Sequence, residues 1–379
     1  MSGALMSGID SMADNDNTAG IIDEIYEAPF VPERWSSILE KLAWATDGEG
    51  GLLLTFDGIH TQGWIGSPVM TPLMEQFIAG GYEKYNVRPQ RALAKRYAGF
   101  MSDTDVMTLE EMAVDPVFQD ILRPAGLGWT AGSVIPAPSG DLIVFDVDRR
   151  YERGPYDRAA LTLLDGFRPH LARAGLLAAR LHLQEAHNAT ETMRRLGLPA
   201  AALDARGRVI TKNDLLDTLE GQVGIRARDR VYLASPTSDT LLTDCLERMA
   251  RKDTGGVASI PLPAVEQGQP AVLHLVPIKR MAHDVFARTV ALAIVTPLMP
   301  APAPHTDILG GLFDLSPAED RVARALLGGM SVHDCAATFG VSQETVRAQL
   351  KSIFAKTATS RQTDLLQLLA ATTSLPIRG

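Results

Sequence analysis

The chain has 379 residues, which is enough for two or three domains of ordinary size. Hydrophobic residues make up 46% of it and charged residues 21%, a globular mixture that excludes a mostly disordered protein. The net charge of −9 excludes a polyanion-binding surface over the whole chain. The residues after Ser342, however, contain five Lys/Arg against two Asp/Glu, so a polyanion would meet the C-terminal end alone.

Targeting and redox signals are few. Cys245 and Cys335 lie far apart without CxxC spacing, which predicts no disulfide framework, no thiolate metal site and a reducing cytoplasm. We expect no metal and no cofactor. Residues 1–19 lack the pattern of a signal peptide and predict a disordered tail. The most apolar run, residues 290–295, is far shorter than the roughly 20 residues of a membrane helix, so no membrane partner is expected.

Residues 20–180 mix strand and helix patterns. Strands are predicted at residues 50–58, 128–137 and 141–149, with helices and turns between them. This order resembles a GAF- or PAS-type sensory domain, which implies an antiparallel sheet with a cavity on one face.

A long helix is predicted at about residues 156–196 and connects this domain to the next. Its apolar residues follow the 3-4 spacing of a heptad seam: Leu164, Phe167, Leu171, Ala174, Ala178 and Leu181. Pro169 should kink the helix or mark its true start. Two interpretations remain open, a helix lying against its own sheet or a seam that pairs two subunits, the latter through Leu164, Leu171, Ala178 and Leu181.

Residues 197–296 predict a second α+β domain. Two short strands flank a turn with Gly207, a helical segment follows, and further strands close the domain. The D-x-x-G-x-V-x-x-x-N pattern resembles the opening of a PAS domain and consists of Asp204, Gly207, Val209 and Asn213. After it, four prolines between residues 297 and 304 predict a semi-stiff linker at residues 297–309.

Residues 310–375 predict an all-α domain of four helices. Serines that can cap helix starts, two of them followed three residues later by an acid, occur at Ser316, Ser331 and Ser342. In the third helix Val346, Leu350 and Ile353 form an apolar face, while Arg347, Ala348 and Lys351 face outwards. Three short helices with a tight turn before the third form a helix-turn-helix, whose third helix fits the major groove.

The stretch Leu315 to Leu369 resembles the DNA-binding domain of bacterial LuxR-type (GerE-like) regulators. Glu319, Val322, Gly329, Val346 and Ile353 are among the matching residues, whereas Gln349 and Ser352 depart from the family's His and Asn. The resemblance implies a homodimer on double-stranded DNA, pairing through Leu365 and Leu369 of the fourth helix, and a contact with RNA polymerase. The predicted DNA contacts are Ser342, Gln343, Thr345, Arg347, Ala348, Lys351, Lys356 and Arg361.

A ligand site is implied by the same resemblance. Short quorum-sensing members hold an acyl-homoserine lactone with a Trp/Tyr/Asp cluster, which here predicts Tyr82, Tyr85 and Trp129 as ligand contacts. Asn86 stands near the position where an Asp would be wanted, so a lactone is not favoured and the small molecule stays unnamed.

Two other classes of protein compete with a regulator. An enzyme with a DNA-binding tail is disfavoured, because no G-x-S-x-G, H-E-x-x-H, P-loop or G-x-G-x-x-G motif occurs in a fitting context. A dimerisation or protein-interaction scaffold that does not use its helix-turn-helix is the other alternative.

Overall fold

The structure is a computed structural model that describes residues 18–57, 60–137, 140–219, 221–250, 256–265, 269–278, 285–298 and 306–371. Within these residues the chain mixes helices with antiparallel sheets and ends in a helical region, so the predicted α+β fold is confirmed. Most of the predicted tail lies outside the described residues, but residues 18 and 19 already belong to a helix.

The N-terminal unit contains a five-stranded antiparallel sheet in the order β2-β1-β5-β4-β3. Its strands are β1 (Gly50–Phe56), β2 (Thr61–Gly66), β3 (Met101–Ser102), β4 (Leu127–Pro136) and β5 (Leu142–Arg150). The helices that precede or interrupt them are α1 (residues 18–27), α2 (Arg34–Ala45), α3 (Thr71–Ala79), α4 (Arg88–Ala94), α5 (Asp103–Val106) and α6 (Leu109–Val114).

The two faces of this sheet have different surroundings. On β5, Phe145 points to the face covered by α2 and packs 5.7 Å from Trp35, ring centroid to ring centroid. Because side chains alternate along a strand, Val144, Asp146 and Asp148 lie on the opposite face, beside a cavity. The face under α2 is therefore an apolar core, and the opposite face carries two carboxylates beside the cavity.

Helix α7 (Arg158–Arg195) runs through the segment predicted as a connector. Leu164, Phe167, Leu171, Ala174 and Ala178 are buried in the core of the N-terminal unit. Pro169 lies inside the helix and does not mark its start. The prediction of a helix is confirmed, and of the two interpretations left open the structure shows the helix packed against a sheet of its own chain.

The end of α7 packs on a second five-stranded antiparallel sheet, of order β10-β11-β12-β6-β7. This middle unit has the strands β6 (Ala200–Leu203), β7 (Val209–Lys212), β8 (Val223–Ile225), β9 (Val231–Leu233), β10 (Ala258–Leu262), β11 (Ala271–Pro277) and β12 (Ala291–Pro297). Its one long helix in the described residues is α8 (Pro236–Ala250), which buries Leu242 and Leu246 against the sheet. Helix α7 thus contributes apolar side chains to the N-terminal unit and to the middle unit.

The segment before β12 leaves its own unit and enters the other. Strand β12 begins only at Ala291, and the preceding Val285 and Phe286 are buried in the core of the N-terminal unit. The Thr55 hydroxyl donates to the Val285 carbonyl at 3.0 Å, and Arg288 forms an ion pair with Asp141 at 2.6 Å. These contacts join the two sheet units directly.

In the described residues the C-terminal unit has five helices around a core of its own: α9 (Thr306–Phe313), α10 (Pro317–Leu327), α11 (Val332–Phe339), α12 (Gln343–Thr357) and α13 (Gln362–Ala371). The predicted linker is too long at its C-terminal end, because α9 begins at Thr306 and buries Leu309. Residues 299–305 lie outside the described part of the chain. Among the helices that are described, none is both long and apolar enough to cross a bilayer.

Candidate DNA-binding surface and ligand cavity

Serine caps define where the helices of the C-terminal unit begin. The hydroxyls of Ser316, Ser331 and Ser342 accept hydrogen bonds from the backbone N–H three residues later, at 3.4, 3.2 and 3.1 Å. At Ser316 and Ser331 the acid at the third position bonds back to the serine N–H, which completes a capping box. All three predicted helix starts are confirmed.

A tight turn joins α11 to α12. Gly340 has φ 67°, in the left-handed region that suits glycine, and its N–H donates to the Ala336 carbonyl. Val341 donates to the same carbonyl at 3.1 Å, after which Ser342 is extended and caps α12. The turn therefore sets the direction in which α12 leaves α11.

Helix α12 has one buried and one open face. Val346, Leu350 and Ile353 are buried in the core of the C-terminal unit, against α10 and α11. Arg347 and Lys351 are exposed on the other side of the helix. They are one turn apart, so their positive charges lie close together on the open face.

The eight residues predicted to contact DNA are all exposed, but they are not equivalent. Gln343 bonds to His333 of α11 at 3.0 Å, and the hydroxyl of Ser342 is used by its cap. Ala348 belongs to the open face, whereas Thr345 lies near the start of α12 and Arg361 precedes α13. Contact of these residues with DNA stays a prediction.

Lys356 needs a correction, since its ammonium group is bound within the unit. It donates to Glu319 Oε2 at 2.8 Å and to the Asp314 carbonyl at 2.7 Å. The bond from Lys356, together with bonds from Ser352 and Ser316, lowers the pKa of Glu319 to about 2. The sequence interpretation assigned Lys356 to DNA, whereas its geometry ties the end of α12 to the start of α10.

The predicted dimer residues are also placed elsewhere. Leu164, Leu171 and Ala178 lie in the N-terminal core, and Leu365 and Leu369 are fully buried in the C-terminal core. Leu181 is half-buried. Buried residues are not available to a second copy of the chain, so pairing through the buried members of this set does not fit the structure, whereas pairing through Leu181 stays a prediction.

A cavity lies on the charged face of the N-terminal sheet. It holds about 630 Å³ of empty space, including the part open to solvent. Apolar walls are formed by Leu52, Leu54, Phe56, Met70, Leu73, Met74, Phe77, Val117, Ile121, Leu122 and Val144. A smaller lobe of about 380 Å³ adjoins it, and both lobes are lined by Asn86, Arg88 and Asp146.

Arg88 is held at the junction of the two lobes. Its Nε donates to Asn86 Oδ1 and its Nη1 to Thr130 Oγ1, both at 3.1 Å. Nη1 also lies 3.6 Å from a carboxylate oxygen of Asp103, whose other oxygen accepts from the Thr130 N–H at 2.6 Å. This network fixes Arg88 against one carboxylate, Asp103.

Two more carboxylates face the same junction. Thr130 Oγ1 donates to Asp148 Oδ1 at 2.8 Å. Burial raises the pKa of Asp146 to about 6 and that of Asp148 to about 7, in the second case helped by the negative charge of Asp146. Burial also raises the pKa of Asp103. Within the described residues no group of His, Cys, Asp and Glu has the arrangement of a metal site.

The aromatic residues predicted to bind ligand do not line this cavity. Trp129 stacks on Tyr151 at 5.9 Å and donates its indole N–H to the Tyr151 carbonyl at 2.9 Å. Tyr85 is 42% exposed, and Tyr82 stacks on Phe77 and donates to Asp120 at 3.2 Å. Tyr82, Tyr85 and Trp129 are therefore not among the residues that line this cavity, and their contact with a ligand stays a prediction.

The acidic residues that line the cavity, Asp146 and Asp148, are not among the predicted ligand contacts. Asp146 and Asp148 are two residues apart in the predicted strand DLIVFDVDR, so alternation alone places them on one face with Val144. Two acids on one face of a strand that pairs on both sides point to a polar cavity there. That signal was present in the sequence.

No protein-family model matches the chain, and no curated protein matches it. Several solved structures are weakly similar. Escherichia coli SdiA shares 11% identity with a TM-score of 0.30, covering 92% of each chain. A phage VqmA–DPO complex shares 16% identity with a TM-score of 0.21, covering 50% of this chain and 89% of that one. A Vibrio cholerae VqmA–ligand–DNA complex shares 16% identity with a TM-score of 0.21, covering 49% and 87%. These values are too low to transfer architecture or function to this chain.

Proposed function

We propose that the chain is a sequence-specific, DNA-binding transcriptional regulator whose C-terminal unit reads duplex DNA and whose sheet units receive a small-molecule signal. The observation that carries the proposal is the open face of α12. Its two exposed cations stand on a capped helix whose other face is buried, and a turn at Gly340 presents that helix outwards. A helix of this width fits the major groove of B-DNA.

The local charge supports the same assignment. The whole chain has a net charge of −9, whereas the residues after Ser342 contain five Lys/Arg against two Asp/Glu. Phosphate groups therefore favour this end of the chain over the rest of its surface. Arg347 is the residue best suited to a base edge, since a guanidinium can bond to guanine through two donors.

Control by a small molecule is the second part of the proposal. The cavity has apolar walls and a few converging polar groups, which is the usual composition of a ligand site. Helix α7 and the segment around Phe286 both connect the unit with the cavity to the middle unit. A ligand would act by its differential affinity for two arrangements of the chain, typically about 1–3 kcal/mol.

Arg347→Ala tests the DNA-binding part. In anisotropy titrations with labelled DNA from upstream of the gene and with random DNA, the variant should lose about 1–3 kcal/mol of specific affinity. Arg195→Ala removes another exposed cation, 78% exposed on α7, and should leave both affinities unchanged. Unchanged specific binding by Arg347→Ala would refute the assignment of α12.

We also propose that the regulator acts as a homodimer on two half-sites about 10 bp apart. The pairing surface must lie outside the buried leucines of α7 and α13. Light scattering of the chain, free and bound to DNA, measures this directly, and a monomer in both states would refute it.

A further inference from the structure

The junction of the two cavity lobes carries an excess of negative charge. Asp103, Asp146 and Asp148 surround one guanidinium, that of Arg88, and the guanidinium bonds towards Asp103 and Thr130. Among the described residues none donates a hydrogen bond to the carboxylate of Asp146. If all three acids are ionised, two negative charges in the cavity have no protein cation of their own.

Asp148 is buried and yet keeps a free oxygen. The residue is 3% exposed and lines the larger lobe. Its Oδ1 accepts from Thr130, whereas its second oxygen has no donor among the described residues and is still not among the fully enclosed atoms. A buried carboxylate oxygen of this kind faces the cavity and lacks a partner there.

The neighbouring strand makes room for the acids. A Cβ at Gly132 of β4 would lie 2.5 Å from Asp146 Oδ1, so any larger residue would displace this carboxylate. The chain thus has a glycine where a side chain would fill the space in front of Asp146. Asp146 accepts no hydrogen bond from the described residues, so its carboxylate is open to a donor that enters the cavity.

We propose that the cavity binds an organic cation, with a protonated amine or amidine directed at Asp146 and Asp148 and an apolar group between Met70, Met74 and Phe77. This deepens the ligand-controlled part of the proposed function and rests on it. An ammonium group supplies the hydrogen-bond donors and the positive charge that the two carboxylates lack. The apolar walls account for the rest of such a ligand.

The affinity should depend on pH. The charged groups facing Asp146 and Asp148 are Arg88 from α4 and Asp103 from α5, with the phenol of Tyr156 beyond Asp148. Burial raises the pKa of the two acids to about 6 and about 7, and a bound cation favours their ionised forms. Binding of an amine should therefore tighten as the pH rises from 6 to 8, roughly the range over which the free carboxyls lose their protons.

Three probes of equal chain length test the proposal on the full-length protein: hexylamine, 1-hexanol and hexanoate. Isothermal calorimetry at pH 6 and pH 8 should show hexylamine bound roughly 10- to 100-fold more tightly than hexanol at pH 8, the range expected for hydrogen bonds to a charged group. Hexanoate should bind more weakly still. Equal binding of amine and alcohol, or no gain for the amine between pH 6 and pH 8, would overturn the proposal.

Asp146→Asn should remove the preference for the amine over the alcohol. Glu75→Gln is the matched control, since Glu75 is exposed on α3, the helix that carries Met74 and Phe77. If Asp146→Asn retains the amine preference, the assignment is refuted, and if that variant does not fold, the pH dependence of the unaltered chain still decides. DNA titrations on the same samples separate the amine proposal from the DNA-binding proposal. The chain can fail to bind the amine and still bind DNA, or bind the amine and fail to bind DNA.

Discussion

Replacing Phe286 with Ala should destabilise the N-terminal unit, although the segment around residue 286 leads into a strand of the middle unit. The side chain is 6% exposed, and its ring centroid lies 6.1 Å from that of Trp35. On the other side it approaches Gly175 of α7, where a Cβ would be 3.6 Å from Phe286 Cζ. The ring therefore fills a space between α2 and α7.

The size of the effect follows from where the ring lies. A buried Phe→Ala change that leaves an empty cavity costs about 3–5 kcal/mol. Phe286 also lines a cleft with about 580 Å³ of empty space that is open to solvent, so water can enter after truncation. The transfer contribution then dominates, and we expect a loss of about 2–3 kcal/mol in the free energy of unfolding.

Tryptophan fluorescence isolates the relevant transition. All four tryptophans, Trp35, Trp44, Trp64 and Trp129, belong to the N-terminal unit. With a urea dependence of about 2 kcal/mol per M, the loss lowers the midpoint of the fluorescence transition by about 1 M or slightly more.

Phe30→Ala is the control, because Phe30 lies in the same unit and is 67% exposed. Its free energy of unfolding should stay within about 0.5 kcal/mol of that of the unaltered protein. A Phe286→Ala protein with an unchanged fluorescence transition would refute the idea that this segment completes the core of the N-terminal unit.

Two further predictions concern the C-terminal unit. Lys356→Met should lower the free energy of unfolding by about 1–3 kcal/mol at pH 7, as expected for lost hydrogen bonds to a charged group. The folded-state pKa of Glu319 is lowered to about 2, so this stabilisation is present above its ordinary pKa of 4.5 and is lost as the pH falls towards 2. Urea unfolding followed by circular dichroism measures it, and a difference that persists unchanged at pH 2 would contradict the ion pair. Gly340→Ala should lower the free energy of unfolding by about 1 kcal/mol, because Gly340 has a positive φ. Gly311→Ala inside α9 should be neutral or stabilising. Equal melting temperatures for the two variants would argue against the glycine turn.

The parts of the fold that depend on neighbours in sequence were predictable. The capping serines and the glycine turn act within three or four residues, so their patterns predict the starts of α10, α11 and α12. The 3-4 spacing in α7 likewise predicts a helix with one apolar face. Such a spacing predicts that the face is buried but not which element it packs against. Here that element is a sheet of the same chain.

Contacts between distant residues account for the errors. Lys356 and Glu319 are 37 positions apart, and nothing local indicates that the lysine bonds inwards. Phe286 lies in a run of apolar residues that resembles a strand, and only the packed structure shows that it enters another unit. The two acids of the cavity were partly predictable. Strand alternation places Asp146 and Asp148 on one face, but it does not show that this face borders a cavity.

The insertion of Val285 and Phe286 also affects the order in which the chain can mature during synthesis. The last strand of the N-terminal sheet ends at Arg150, whereas the residues that complete its core are made 135 positions later. At about 5–20 residues per second, the ribosome needs roughly 7–27 s to deliver them. During that interval the space between α2 and α7 is open, and the nascent unit exposes apolar surface of the kind that chaperones bind. The N-terminal unit therefore reaches its final stability only once most of the middle unit has been translated.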